Sequence, residues 1–310
     1  LENTVSDGEL ARADGQQQPD NSVKRNYTDL FPSAAITYNA NPNNILNLTY
    51  SRRIDRPSYQ DLNPFENKLD ELTYQKGNAF LRPQYTNSIQ LIHTYKYKFN
   101  TSIGYSHIQD FRAQVIDTTE KSRSYITQKN LASQDIYNIN FSLPFQITKW
   151  WSLYSNINAY RSFYKADFGN GKKINIAVSS LSLYMTQSFT LGDGFTGEIS
   201  GFYNAPSVWA GTFKSAALGD LDLGVQKVLF KGKGNIKFSY TDLLNTLHFA
   251  GTSDYGGAYI HVSGHWESQQ LRMNFTYRFG NNQVKAARQR KTSAEDENKR
   301  LNSAGGFGGN

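Results

Sequence analysis

Cysteine is absent from all 310 residues, and methionine occurs only twice. The first absence excludes a disulfide framework and a thiolate metal centre, and it leaves the redox compartment open. No apolar run approaches the roughly 18 residues of a spanning helix. Mean hydropathy, at -0.61, agrees that no such helix is present. A transmembrane barrel is not excluded, because strands that alternate lipid-facing and water-facing side chains average out as polar. No glycine-rich phosphate loop or HExxH helix occurs, and the glycines mark turns. An initiator Met and a signal peptide are also lacking: the chain opens at Leu1-Glu2-Asn3-Thr4, which reads as a start part-way through an element. The expectation is a fragment.

What is abundant is aromatic. Tyr and Phe number 20 and 19, and aromatics make up 14% of the chain. A soluble core relies more on Leu, Ile and Val, so surplus Tyr beside many Asn, Ser and Thr points to half-wet strands or interfacial belts. The net charge of +7 is scattered over strands and loops except near the C-terminus. A phosphate-tracking groove is the weaker reading, and no nucleic-acid partner is expected.

Residues 271–279 read LRMNFTYRF. Leu271, Met273, Phe275, Tyr277 and Phe279 alternate with Arg272, Asn274, Thr276 and Arg278, which is strand periodicity with one greasy and one wet face. The same alternation recurs along the chain. It appears as Leu46, Leu48 and Tyr50, as Ile89, Leu91, His93 and Tyr95, as Tyr137 to Phe145, as Trp151 to Ala159, and again at Ile236 to Tyr240. In 174–191 the greasy face switches from Ile174, Ile176 and Val178 to Leu181, Leu183 and Met185, which predicts a bulge near Ser179 or Ser180. Residues 5–25 and the Gly251 to Gly257 segment read as loops. The connection 54–83 is too long for a hairpin turn and so reads as functional.

The predicted fold is all-β: an antiparallel up-and-down transmembrane β-barrel with about twelve strands, the C-terminal part of a larger barrel. Short turns and longer loops take turns at the two ends. Aromatics gather beside the short turns as one membrane girdle, comprising Tyr95, Tyr97, Phe99, Phe145, Trp150, Trp151, Phe275, Tyr277 and Phe279, with Phe189, Phe195 and Phe230. Residues 1–280 form the barrel portion. Residues 281–310 form a charged, Gly-ended tail expected to be disordered and periplasmic.

A resemblance sharpens this reading. Ser51-Arg52-Arg53-Ile54-Asp55-Arg56-Pro57, Asp61-Leu62-Asn63-Pro64-Phe65 and Gly77-Asn78-Ala79-Phe80-Leu81-Arg82-Pro83-Gln84 resemble the run shared by TonB-dependent outer-membrane receptors, of the β-barrel family typical of Bacteroidetes. Tyr27 to Ser33, Asp242-Leu243-Leu244-Asn245-Thr246 and Tyr277-Arg278-Phe279-Gly280 fit as well. Ala79 stands where the pattern usually has Pro, and Gln84 where many receptors have Glu. Such receptors have about twenty-two strands, an N-terminal plug and an energy-coupling box, none of which is visible in this sequence. The resemblance implies a receptor or transporter barrel for an unidentified solute of siderophore, glycan or peptide class. Its partners would be outer-membrane lipid, the plug and barrel half missing here, a TonB-type energy-coupling protein acting through that missing part, and the barrel-assembly machinery reading the C-terminal strand. Long loops would be extracellular. The alternatives are a non-transporting adhesin or anchor, and a soluble β protein with its greasy faces buried.

Candidate residues are few. Arg53, Arg56, Tyr59, Tyr74 and Arg82, in or beside the long loop, suit an anionic or sugar-like ligand through bidentate arginine contacts and stacking; equally, they suit pairing with Asp55, Asp61, Asp70 or Glu71. Tyr154, Asn156, Asn158, Tyr160 and Arg161 are read as lumen-facing. His261 and His265 share a face but stand roughly 13 Å apart, too far for one ion, so no metal and no cofactor is expected. A Ser-His-Asn hydrolase is not favoured, because Ser and Asn are too common here for the pattern to mean anything. No enzyme is expected.

Overall fold

The computed structural model describes residues 1–9, 22–117, 123–167, 173–209, 213–255 and 258–279. The charged tail therefore lies outside the described residues.

The elements are strands almost throughout. In order they are β1 (Glu2–Glu9), β2 (Ser22–Asp29), β3 (Ser33–Asn41), β4 (Asn44–Asp55), a short helix α1 (Tyr59–Leu62), β5 (Glu66–Lys68), β6 (Thr73–Lys76), β7 (Gln84–Tyr95), β8 (Phe99–Asp117) and β9 (Ser124–Gln146). There follow β10 (Trp151–Asp167), β11 (Lys173–Gly192), β12 (Phe195–Asn204), β13 (Ser207–Trp209), β14 (Phe213–Ser215), β15 (Leu218–Leu229), β16 (Gly234–Thr241), β17 (His248–Tyr255), β18 (Ala258–His265) and β19 (Gln270–Tyr277). The main sheet runs β19-β16-β15-β12-β11-β10-β9-β8-β7-β4-β3, every neighbour on this path antiparallel. It is the meander that the alternation predicts. The sheet is open, with β3 and β19 as its edges.

Register explains the two faces. Ile36, Leu48, Leu91, Ile103, Ile139, Ala159 and Leu181 lie opposite one another across seven strands, so one row of side chains is apolar from end to end. The adjacent row on the other face is Thr37, Asn47, Ile92, Ser102, Asn140, Asn158 and Ser182, polar but for Ile92. Ile36, Leu48, Leu91, Ile103 and Leu181 are exposed on their face, as a lipid-facing wall requires.

Aromatics end this apolar band on both sides. At the short-turn end Tyr95 meets Phe99 at 6.3 Å, Phe99 meets Phe145 at 5.3 Å, and Trp151 stacks on Phe189 at 6.0 Å. Tyr277 joins Phe230 and Phe279 at 5.6 and 4.6 Å. A second belt, not foreseen from sequence, holds Tyr105 and Tyr137 at 5.0 Å and Tyr137 and Phe163 at 6.1 Å. From Phe145 to Tyr137 is about 27 Å along the strand, or about 20 Å of height once strands tilt by 35–45°. The belts thus flank a band somewhat shorter than the roughly 25 Å apolar band of transmembrane barrels.

Several sequence readings are corrected. β11 keeps an unbroken register through Arg161↔Ser179 and Tyr160↔Ser180, so there is no bulge there. Ile176 instead lies opposite Tyr164, on the polar face, where the Tyr164 hydroxyl donates to the Val208 carbonyl at 3.2 Å and β13 covers the wall. Within the long strands an irregularity sits in β8, between Ile108 and Phe111, with Asp110 at φ 54; β11 shifts register only at its turn end, between Thr190 and Gly192. The 5–25 segment is strand at both ends, β1 pairing with β2, and Gly251 to Tyr255 belong to β17, which pairs with β18. That hairpin extends a small second sheet, β13-β14-β17-β18. β2 and β3 are separated at Leu30-Phe31-Pro32.

Candidate functional site

The long connection after β4 is folded back by a dense set of bonds. The Ser58 hydroxyl accepts from Asp61 N at 3.1 Å and the Asp61 carboxylate accepts from Ser58 N at 3.1 Å, a capping box that starts α1. Gly77 N donates to the Asn63 carbonyl at 2.9 Å and Asn78 N to that of Asp61 at 2.6 Å, so β6 returns against the helix. Only glycine fits, since a Cβ at Gly77 would sit 2.3 Å from the Asn63 oxygen. Arg112 ties this brace to the wall, reaching Asp55 at 2.6 Å and Asp61 at 3.8 Å. Leu81 and Pro57 are fully buried beneath it.

The small sheet is pinned in a comparable way. Asp242, the residue after β16, is buried. Its carboxylate accepts from Thr246 N at 2.8 Å, Leu247 N at 3.2 Å and the Ser268 hydroxyl at 2.5 Å, and the Gln269 amide donates to its backbone carbonyl at 3.2 Å. One side chain thus holds both feet of the β17–β18 hairpin. Burial pushes the Asp242 carboxyl up, but the bonds from Ser268, Thr246 and Leu247 outweigh it and hold the group below the ordinary carboxylate range.

Between the brace, the polar face of the wall and the small sheet lies a cavity of about 990 Å³. The brace contributes Gln60, Phe65, Asn67, Gln75 and Lys76; the wall contributes Gln128, Asn158, Tyr160, Ser182 and Asn204; the small sheet contributes His248 and Phe249, and the segment just after it Trp266. Its formal charges are compensated locally. Lys76 pairs with Glu66 at 3.5 Å, and Asp61 accepts from Gln128 at 2.8 Å beside Arg112. What remains facing the space is uncharged: amides, hydroxyls such as Ser182 and Ser215, aromatics, and aliphatics such as Ile126 and Leu218. Such a surface stacks against and hydrogen-bonds a neutral polar solute better than it attracts an anion.

The residues expected to meet ligand are placed differently. Arg56 pairs with Glu2 and reaches Thr4 Oγ1 at 3.2 Å; Arg82 pairs with Asp110 at 2.5 Å; Tyr74 packs on Tyr125 at 5.8 Å beneath the Arg123 guanidinium. Tyr59 is exposed on α1, and Arg53 is exposed opposite Thr86. None of the five is among the residues lining the cavity. Of the residues read as lumen-facing, Asn158 and Tyr160 line it, while Tyr154 and Asn156 lie lower on the same face, Asn156 bonding Asn140 at 3.1 Å. Arg161 is a correction. It is one residue out of phase with Tyr160, shares the apolar face opposite Tyr137, and lies over the Phe163 ring at 5.2 Å. Strand period alone carries that signal.

Sequence reasoning also missed a histidine pair. The β17–β18 register sets His248 against His265, with their Nδ1 atoms 2.9 Å apart. The cue was hidden because 251–257 was read as a loop, so His248 and His265 were not set in one hairpin.

An open antiparallel wall, greasy on one face, polar on the other and belted by aromatics, defines an outer-membrane β-barrel. The chain belongs to the outer membrane protein beta-barrel family, whose model matches residues 1–277. Among solved structures it is similar in fold to the siderophore receptor PiuA from Acinetobacter baumannii, with a TM-score of 0.52 at 11% identity over 82% of this chain. The chain spans 36% of the length of that receptor. No curated protein matches it significantly in sequence.

Proposed function

We propose that this chain forms part of the wall and the extracellular ligand chamber of a TonB-dependent receptor-type barrel that takes up a solute across the outer membrane. The supporting observation is the cavity of about 990 Å³ on the polar face, enclosed by the excursions that leave the long-loop end of the strands. Ligand capture there is non-covalent and requires no catalytic residue. The barrel half and plug of such receptors would complete the pore, a TonB-type protein would move the plug, and the assembly machinery would read β19. The long-loop end faces outside and the short-turn end the periplasm. The lining favours a neutral, polyhydroxylated or amide-rich solute over an anionic chelate.

The test uses cells bearing the intact protein or its Trp266→Ala and Asn158→Ala variants, offered labelled neutral oligosaccharides, peptides and ferric chelates with and without collapse of the proton gradient. Gradient-dependent accumulation that both variants weaken supports the proposal. Binding that persists with no accumulation in either condition overturns transport in favour of an adhesin.

A further inference from the structure

We propose that His248 and His265 form a two-imidazole site for a borderline divalent cation of the Cu²⁺, Ni²⁺ or Zn²⁺ class at the rim of the chamber. Hydrogen bonds fix the tautomer of His248. Nε2 of His248 lies 2.7 Å from the carbonyl oxygen of Asn245, and a carbonyl only accepts, so that nitrogen carries the proton. Nδ1 of His248 is then a lone pair, and it is aimed at Nδ1 of His265 across 2.9 Å. An imidazole whose outer N–H is held by a backbone carbonyl while its inner nitrogen is free is the usual outer-shell arrangement of a metal-ligating histidine.

The spacing fits as well. Metal–nitrogen bonds of about 2.0–2.1 Å to two neighbouring ligands place the nitrogens about 2.9–3.4 Å apart, from square or octahedral to tetrahedral geometry. The rings lie within 21° of each other with centroids 4.7 Å apart. Turning each exposed ring by roughly 35–45° brings both lone pairs onto one ion. Without metal, His265 donates its Nδ1 proton to His248; on binding, that proton leaves Nδ1 and solvent returns one to Nε2, with no net change in protonation.

The platform is rigid where it matters. Asp242 fixes Thr246 and Leu247 immediately before His248, and Ser268 shortly after His265. Among the described residues no third histidine or carboxylate gathers with the pair. The remaining coordination positions therefore go to water or to donor atoms of an incoming molecule, and His248 itself lines the chamber.

The test titrates the full chain, folded in detergent, with Cu²⁺ alone, followed by calorimetry and electron paramagnetic resonance. One ion per chain with two-nitrogen imidazole coupling is expected. His248→Ala and His265→Ala should each weaken binding by about tenfold or more. His261→Ala, whose residue pairs with Thr252 in the same hairpin, should leave it unchanged. An unaltered β-sheet circular dichroism spectrum shows that each variant is folded. Absence of saturable binding, binding that survives loss of both His248 and His265, or equal weakening by His261→Ala overturns the site.

Discussion

Asp242→Ala is expected to release the β17–β18 hairpin while leaving the main sheet intact. The alanine leaves Thr246 N–H, Leu247 N–H and the Ser268 hydroxyl without their carboxylate acceptor. Each of these bonds is half-buried, and at about 1 kcal/mol apiece the local loss is about 3 kcal/mol. That corresponds to exchange of the hairpin amides about 100-fold faster. Asp242→Asn keeps one acceptor oxygen but turns an NH₂ toward the other donors, for about 2 kcal/mol and roughly 30-fold. The pH dependence has a definite sign. Because the folded-state pKa is depressed, the contribution is complete above the unfolded carboxylate value of about 4 and is lost as pH falls through the lower folded value. Protection of the hairpin in the native protein should drop only in acid, and the Asn variant should lack that drop. Hydrogen–deuterium exchange of peptides covering 248–265 measures both effects. Unchanged protection in the Ala variant, or loss in β15 and β16 ahead of the hairpin, would refute the pinning role.

The brace and the wall make their own predictions. Gly77→Ala drives a Cβ against three backbone oxygens, those of Asn63, Asp61 and Gln60, and should cost at least about 1–3 kcal/mol; limited proteolysis should then cut within 56–83 while the strands stay protected. Leu91→Arg, in the middle of the apolar row, should destabilise the barrel in lipid by about 2–4 kcal/mol, whereas Gln90→Arg on the opposite face should be nearly neutral; urea unfolding in liposomes compares the two.

The strands were legible because a period of two is written directly in side-chain chemistry, as in Leu271 to Phe279 and Tyr137 to Phe145. Hairpin ends were legible for the same reason, aided by local signals such as Asn41 to Asn44 and Gly192-Asp193-Gly194. The phase switch in β11 was legible as a fact but not in its cause. A face that turns apolar is met either by a bulge or by something covering it, and only the fold shows that β13 covers the wall near Ile176. The chamber was hidden for a related reason. Gln60, Asn158 and Trp266 are distant in sequence, and long-loop arginines drew attention that the structure assigns to ion pairs within the scaffold. Of these, Arg56 and Arg82 were visible beforehand as scaffold candidates, though with partners other than Glu2 and Asp110. The upper belt escaped notice because Tyr105, Tyr137 and Phe163 sit within long strands rather than beside turns.

The most direct measurement is spin-label accessibility along one register row and its neighbour, with the protein reconstituted in lipid. Labels at Leu48, Leu91, Ile103 and Ile139 should collide freely with oxygen dissolved in the bilayer and be shielded from a water-soluble nickel chelate. Labels at Asn47, Ser102, Asn140 and Asn158 should show the reverse. Equal accessibility of the two rows, or the opposite assignment, would contradict the membrane wall on which the account rests.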